Sequence, residues 1–104
     1  MSVLSLTFHC TENRLQEWEQ YVSENLTVLT ENLMDVEKYI LSEVESDMVN
    51  EGKNYNLLLV FANNELREDF LESELVNIQE RISAKYGEDV IIFVTKLNPV
   101  KKRI

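Results

Sequence analysis

The segment that most constrains the fold is Tyr55-Asn56-Leu57-Leu58-Leu59-Val60-Phe61-Ala62, which is apolar at every position but Asn56. Read with period two, Tyr55, Leu57, Leu59 and Phe61 take one face and Leu58, Val60 and Ala62 the other. A strand that is apolar on both faces belongs in the middle of a sheet with cover on each side. Val90 to Leu97 has the same character, with Val90, Ile92 and Val94 opposing Ile91, Phe93 and Leu97, and Asn98-Pro99 ends it. Val3 to Cys10 alternates: Leu4, Leu6, Phe8 and Cys10 share one face and Val3, Ser5, Thr7 and His9 the other.

Between these strands the period changes. Leu15, Trp18, Val22, Leu26, Leu29 and Leu33 recur at spacings of three and four, which predicts one amphipathic helix from about Glu12 to Asn32. Thr11 is placed to cap it, with Glu12 in the first turn, although Arg14 stands where a capping box needs Glu. Leu66, Phe70, Leu71, Leu75, Ile78 and Ile82 define a second helix. Asn63 or Asn64 caps its start, and Gly87 stops it after Tyr86. Val36 to Met48 has no comparable stripe and reads as a strand, its acids Glu37, Glu43, Glu45 and Asp47 suiting a sheet edge. The turn 50–54 follows, with Gly52 supplying a positive φ.

The order is therefore β-α-β-β-α-β over residues 1–104, one domain with no internal linker and a basic tail at 98–104. Two helices on one side of a four-stranded antiparallel sheet, strand order 4-1-3-2, give an α+β, ferredoxin-like fold. Helices cover only one sheet face, while the third and fourth strands are apolar on both. The remaining face is too greasy for a monomer, so a second copy is expected to cover it in a two-fold homodimer.

Charge removes several function classes. Ten bases against nineteen acids give −9, which opposes binding to nucleic-acid phosphates and to anionic membranes. The strand order is shared with RNA-recognition domains, but Lys53-Asn54-Tyr55-Asn56-Leu57-Leu58-Leu59-Val60 lacks the small residues and later aromatics of their base-stacking strand. The charge is also uneven: the chain up to Thr95 carries −13 and the last nine residues +4. That tail reads as solvated, or as an arm for an acidic surface of another chain. No segment resembles a signal peptide or a membrane span. With a single cysteine no intrachain disulfide forms, and a soluble protein in the reducing cytoplasm is expected.

Chemical motifs are scarce. No zinc spacing, phosphate loop or nucleophile elbow is present, so neither a metal nor a cofactor is expected. Cys10 and His9 are neighbours on a strand and point to opposite faces, so they cannot form a catalytic pair within one subunit. Trp18 belongs to the helix stripe and reads as core. The candidate ligand-binding residues are Ser5, Thr7 and His9, a polar patch on an otherwise apolar sheet face, together with Tyr55 after the turn. His9 is the weak catalytic candidate, the one group there able to exchange a proton near neutral pH.

Ser46-Asp47-Met48, Glu51 to Phe61, Phe93 to Pro99, Glu17-Trp18 and Tyr86-Gly87-Glu88 resemble a bacterial family of short proteins known as a domain of unknown function. The resemblance spans nearly the whole chain and implies a dimeric α+β barrel of the ferredoxin-like kind. That architecture is shared with small monooxygenases and isomerases. No catalytic residue carries over from the family. The expected function is a non-enzymatic homodimer that binds a small hydrophobic molecule or a protein partner. The alternative is a small cofactor-free enzyme working in the cleft around His9.

Overall fold

The computed structural model describes residues 1–45 and 51–103. Four strands, β1 (Ser2–Cys10), β2 (Val36–Glu43), β3 (Lys53–Phe61) and β4 (Val90–Leu97), form one antiparallel sheet in the order β2-β3-β1-β4. Read from the other edge this is the expected 4-1-3-2. Four helices, α1 (Leu15–Tyr21), α2 (Thr27–Glu31), α3 (Asn64–Glu72) and α4 (Glu74–Tyr86), lie in the two connections that the periodicity marked as helical. The core lies between sheet and helices. Leu4, Leu6, Phe8 and Cys10 of β1 and Leu57, Leu59 and Phe61 of β3 are completely buried there. Trp18 packs on them, 5.7 Å from Phe8 and edge-on to Tyr86 at 5.5 Å between ring centroids.

The first connection departs from a single regular helix. A 3-10 turn (Glu12–Arg14) precedes α1, and a π-helical turn (Val22–Leu26) separates α1 from α2. The cause is the spacing of the buried side chains. Trp18, Val22, Leu26 and Thr30 face the core at intervals of four. A 3.6-residue helix turns about 40° too far at each such step, and one wider turn takes up the excess. Thr30 is buried in consequence and returns its hydroxyl to the Thr27 carbonyl at 2.8 Å, while Leu29 is only half buried. Thr11 does not cap this helix through its side chain. Its hydroxyl donates to Asn13 Oδ1 (2.6 Å) and to Asp89 Oδ1 (3.1 Å), tying the end of β1 to the start of β4.

The second connection is also interrupted. Asn63 caps α3 by accepting the Leu66 N–H at 2.9 Å, whereas Asn64 accepts the hydroxyl of Ser2. At Ser73 the hydroxyl donates back to the Asp69 carbonyl (2.6 Å), a bond that competes with helix geometry, and the backbone leaves the helical region (φ −122°, ψ −77°) before α4 begins. Gly87, at φ +58°, closes α4. Arg67 was not foreseen as core. It is 4% exposed on the inner face of α3, and its Nη1 donates to the carbonyls of Val3 (3.0 Å) and Leu97 (3.1 Å). One guanidinium thus joins the beginning of β1 to the end of β4.

Strand β2 ends at Glu43, short of the expected Met48; residues 46–50, which include Asp47, Met48 and Asn50, lie outside the described residues, as does Ile104. Gly52 enters β3 at φ +79°, and a Cβ there would stand 2.0 Å from the Cys10 carbonyl oxygen. Both the dihedral and the close approach require glycine. Gly52→Ala is therefore expected to lower stability by at least about 2 kcal/mol, read as a reduced urea midpoint. An unchanged midpoint would contradict the close packing of this turn on β1.

Candidate functional site

The face of the sheet turned away from the helices carries the predicted polar patch. Register places Ser5 opposite Leu58 and Thr95, Thr7 opposite Asn56 and Phe93, and His9 opposite Asn54 and Ile91. Asn56 Nδ2 donates to Ser5 Oγ at 2.8 Å and to Thr7 Oγ1 at 3.2 Å. Both amide hydrogens are engaged, so the two hydroxyl hydrogens and the Asn56 carbonyl are left to meet a further group. His9 Nδ1 lies 2.6 Å from Asn54 Oδ1. With the ring donating there, Nε2 is the remaining ring nitrogen, 3.9 Å from Glu51.

Tyr55 does not join this group. It pairs with Phe8 on the helix side of the sheet, because odd and even positions of β3 point to opposite faces. Its ring packs against the core with Lys53 Nζ 5.5 Å from the centroid, and burial raises its phenol above the usual range. Asn54 and Asn56, which complete the patch, were missed. Their signal was present as two amides at i and i+2, Asn54 and Asn56, at the start of a strand that is apolar from Leu57 onward.

The patch is framed by exposed apolar side chains. Ile40 of β2 and Ile91, Phe93 and Leu97 of β4 lie on the same face and are 60%, 46%, 56% and 42% exposed. They leave a polar centre between two greasy margins.

A second concave feature lies on the helical side. A groove of about 650 Å³ runs between the helical segment 21–33 and α4. Tyr21, Val28, Leu29 and Ile78 supply apolar surface, and Asn25, Asn32 and Asn77 supply amides. Glu74 and Arg81 border it from α4, and Glu24 from the facing helix. Glu74 Oε2 is buried with no hydrogen-bond partner among the described residues, and burial, then the nearby Asp35, holds this carboxyl above its ordinary range. No cluster of three metal-ligating side chains occurs among the described residues, and no described helix is long and apolar enough to cross a membrane.

Sheet order, antiparallel pairing and the two helical connections define an α+β protein of the ferredoxin-like class. The chain belongs to the family described as Domain of unknown function (DUF4286), whose model matches residues 1–100. No curated protein matches it significantly. Solved structures do. A dimeric ferredoxin-like protein from an uncultured marine organism superposes with a TM-score of 0.67 at 13% identity, over 100% of this chain and 99% of that one. An ethyl tert-butyl ether d (EthD) family protein from Bacillus halodurans gives 0.66 at 10% identity, over 91% and 97%. A Deinococcus radiodurans protein, provisionally described as an antibiotic biosynthesis monooxygenase, gives 0.63 at 11%, over 100% and 99%. At these identities the likeness is one of fold.

Cys10 stands apart from the open face. It is fully buried on the helix side, and burial, reinforced by the Asp89 carboxylate, pushes its thiol up to about 11. An unfolded thiol ionises near 9.0, so stability linked to this group is complete below that pH and declines as pH rises toward 11. The native thiol should resist a disulfide reagent at pH 8 and react fully once urea unfolds the chain. Rapid native labelling would contradict its burial.

Proposed function

We propose that the protein works as a homodimer, two copies packing the open faces of their sheets together, and that the patch of Ser5, Thr7, Asn56 and His9 becomes a site for a small hydrophobic molecule between them. The exposed Ile40, Ile91, Phe93 and Leu97 on one sheet face carry this reading. Four large apolar side chains in water on one flat surface form a patch of the kind that marks an interface. The description of one structural neighbour as a dimeric ferredoxin-like protein agrees with it. In such a dimer the hydroxyls of Ser5 and Thr7 and the Asn56 carbonyl face into an apolar gap. A ligand with an apolar body and one hydroxyl or carbonyl group matches them. The reducing cytoplasm suits its single, unpaired cysteine.

The geometry of His9 favours a second reading, a cofactor-free enzyme. Asn54 holds one ring nitrogen, and the other, 3.9 Å from Glu51, is the position that would take a proton from a bound substrate. The monooxygenase description of one structural neighbour is compatible with this role. Under the binding reading, His9→Ala weakens ligand capture modestly; under the enzymatic reading it abolishes turnover while capture persists.

Light scattering should give about twice the chain mass of 12.2 kDa at micromolar concentration. Phe93→Glu places a charge at the centre of one greasy margin and should yield a folded monomer with unchanged circular dichroism. A wild-type monomer, or a Phe93→Glu dimer, would refute the arrangement.

A further inference from the structure

The two edges of the sheet are built differently. The β2 edge carries Glu37, Lys38 and Glu43 and an irregularity between Val36 and Lys38, devices that keep other strands away. The β4 edge has none of these. Its eight residues pair with β1 in unbroken register, contain no acid and include one base, Lys96. Among the described residues, no backbone group outside β1 is hydrogen-bonded to it.

The direction of its free groups follows from the ladder. The Thr11 N–H bonds the Asp89 carbonyl at 2.9 Å, in the same register that sets Thr7 opposite Phe93 and Ser5 opposite Thr95. Odd-numbered residues of β4 therefore turn their N–H and C=O groups toward β1, and Ile92, Val94 and Lys96 turn theirs outward. The strand is also uncovered on both faces. Phe93 on the open face and Val94 on the helix side, opposite Leu6, are 56% and 39% exposed. An apolar strand bare at its edge and on both sides is a template for another strand.

Charge selects that strand. Glu88 and Asp89 immediately precede β4, Lys96 lies near its end, and Lys101, Lys102 and Arg103 follow. Asp89 is 3.4 Å from Arg14, and Lys96 pairs with Glu68 in solvent. Glu88 and the three tail bases are exposed and form no ion pair with another described residue. An acidic start and a basic end complement a second copy of the same strand running antiparallel, and they do so twice.

We infer that β4 pairs antiparallel with β4 of a second copy, about a two-fold axis perpendicular to the sheet at Phe93. Two four-stranded sheets then become one of eight strands. The outward groups of Ile92 bond those of the partner's Val94, and Phe93 meets the partner's Phe93 in the closer, non-hydrogen-bonded kind of pair. Lys96 and the tail run past Glu88 and Asp89 of the other copy. The axis keeps both helical layers on one side and both open faces on the other, so this contact is separate from the face-to-face dimer and does not depend on it. One strand edge is smaller than a stable interface, which places the association at millimolar rather than micromolar concentration.

The test is amide hydrogen exchange on the full chain at micromolar and at millimolar concentration, with the mass followed by light scattering. At millimolar concentration the mass should double from whatever state is present at micromolar. Exchange at Ile92, Val94 and Lys96 should slow at least tenfold, while Phe93 and Thr95, bonded to β1, stay slow throughout. Val94→Pro removes an outward N–H that β1 does not use; it should leave circular dichroism unchanged and abolish the doubling. Glu88→Lys, on an exposed residue ahead of the strand, should weaken the doubling at least tenfold in low salt. Rapid exchange at Ile92 and Val94 at both concentrations, a folded Val94→Pro chain that still doubles, or a Glu88→Lys chain that doubles like the wild type would overturn the inference.

Discussion

A sheet has two faces, and this chain carries helices for one of them. That constraint orders the rest of the structure. On the helix side, alternation in β1 and β3 puts seven side chains into full burial, and Trp18 and Tyr86 close the layer from the helices. Burying one such side chain stabilises the fold by about 1.5–3 kcal/mol, so this face fixes the register. On the other side the same alternation displays Ile40, Ile91, Phe93 and Leu97 to water. A one-residue slip would exchange the two sets and expose the core. The open face is therefore a consequence of the buried one.

The polar groups follow the same division. Acids lie on outward helix surfaces and near sheet edges, where ion pairs such as Lys53 with Glu43 (3.0 Å) and Lys96 with Glu68 (2.9 Å) are solvent-accessible. Such pairs add little stability. Strand β2 is further protected by an irregularity between Val36 and Lys38, which discourages another chain from extending the sheet at that edge. Arg67 has a different task. Buried where the start of β1 meets the end of β4, it satisfies carbonyl groups at the end of the sheet, where the ladder stops.

Architecture was legible in the sequence because burial imposes a period and little else competes with it. Strands β1, β3 and β4 and both helical regions could be read that way; local turn chemistry marked Gly52 and narrowed the second helix's cap to Asn63 or Asn64, of which Asn63 is the one used. What escaped involved interactions across elements. The π-helical turn arises from side chains spaced at four residues meeting a sheet, which no local propensity records. Thr11 was drawn from its helix by Asp89, 78 residues away. The candidate patch was partly legible: Ser5, Thr7 and His9 share a face, but their partners Asn54 and Asn56 come from another strand, and Tyr55 falls on the opposite side. The inter-helical groove was not legible at all, since it depends on how the two helical layers are spaced.

The most direct test of a sheet covered by a second copy is an isotope-filtered NOE experiment on a mixture of labelled and unlabelled chains. The account predicts intermolecular contacts from the Phe93 ring to methyl groups of the open face, those of Ile40, Leu58, Ile91 and Leu97. Intermolecular contacts that instead involve Val28 or Val76 on the helical side, or none at all, would contradict it.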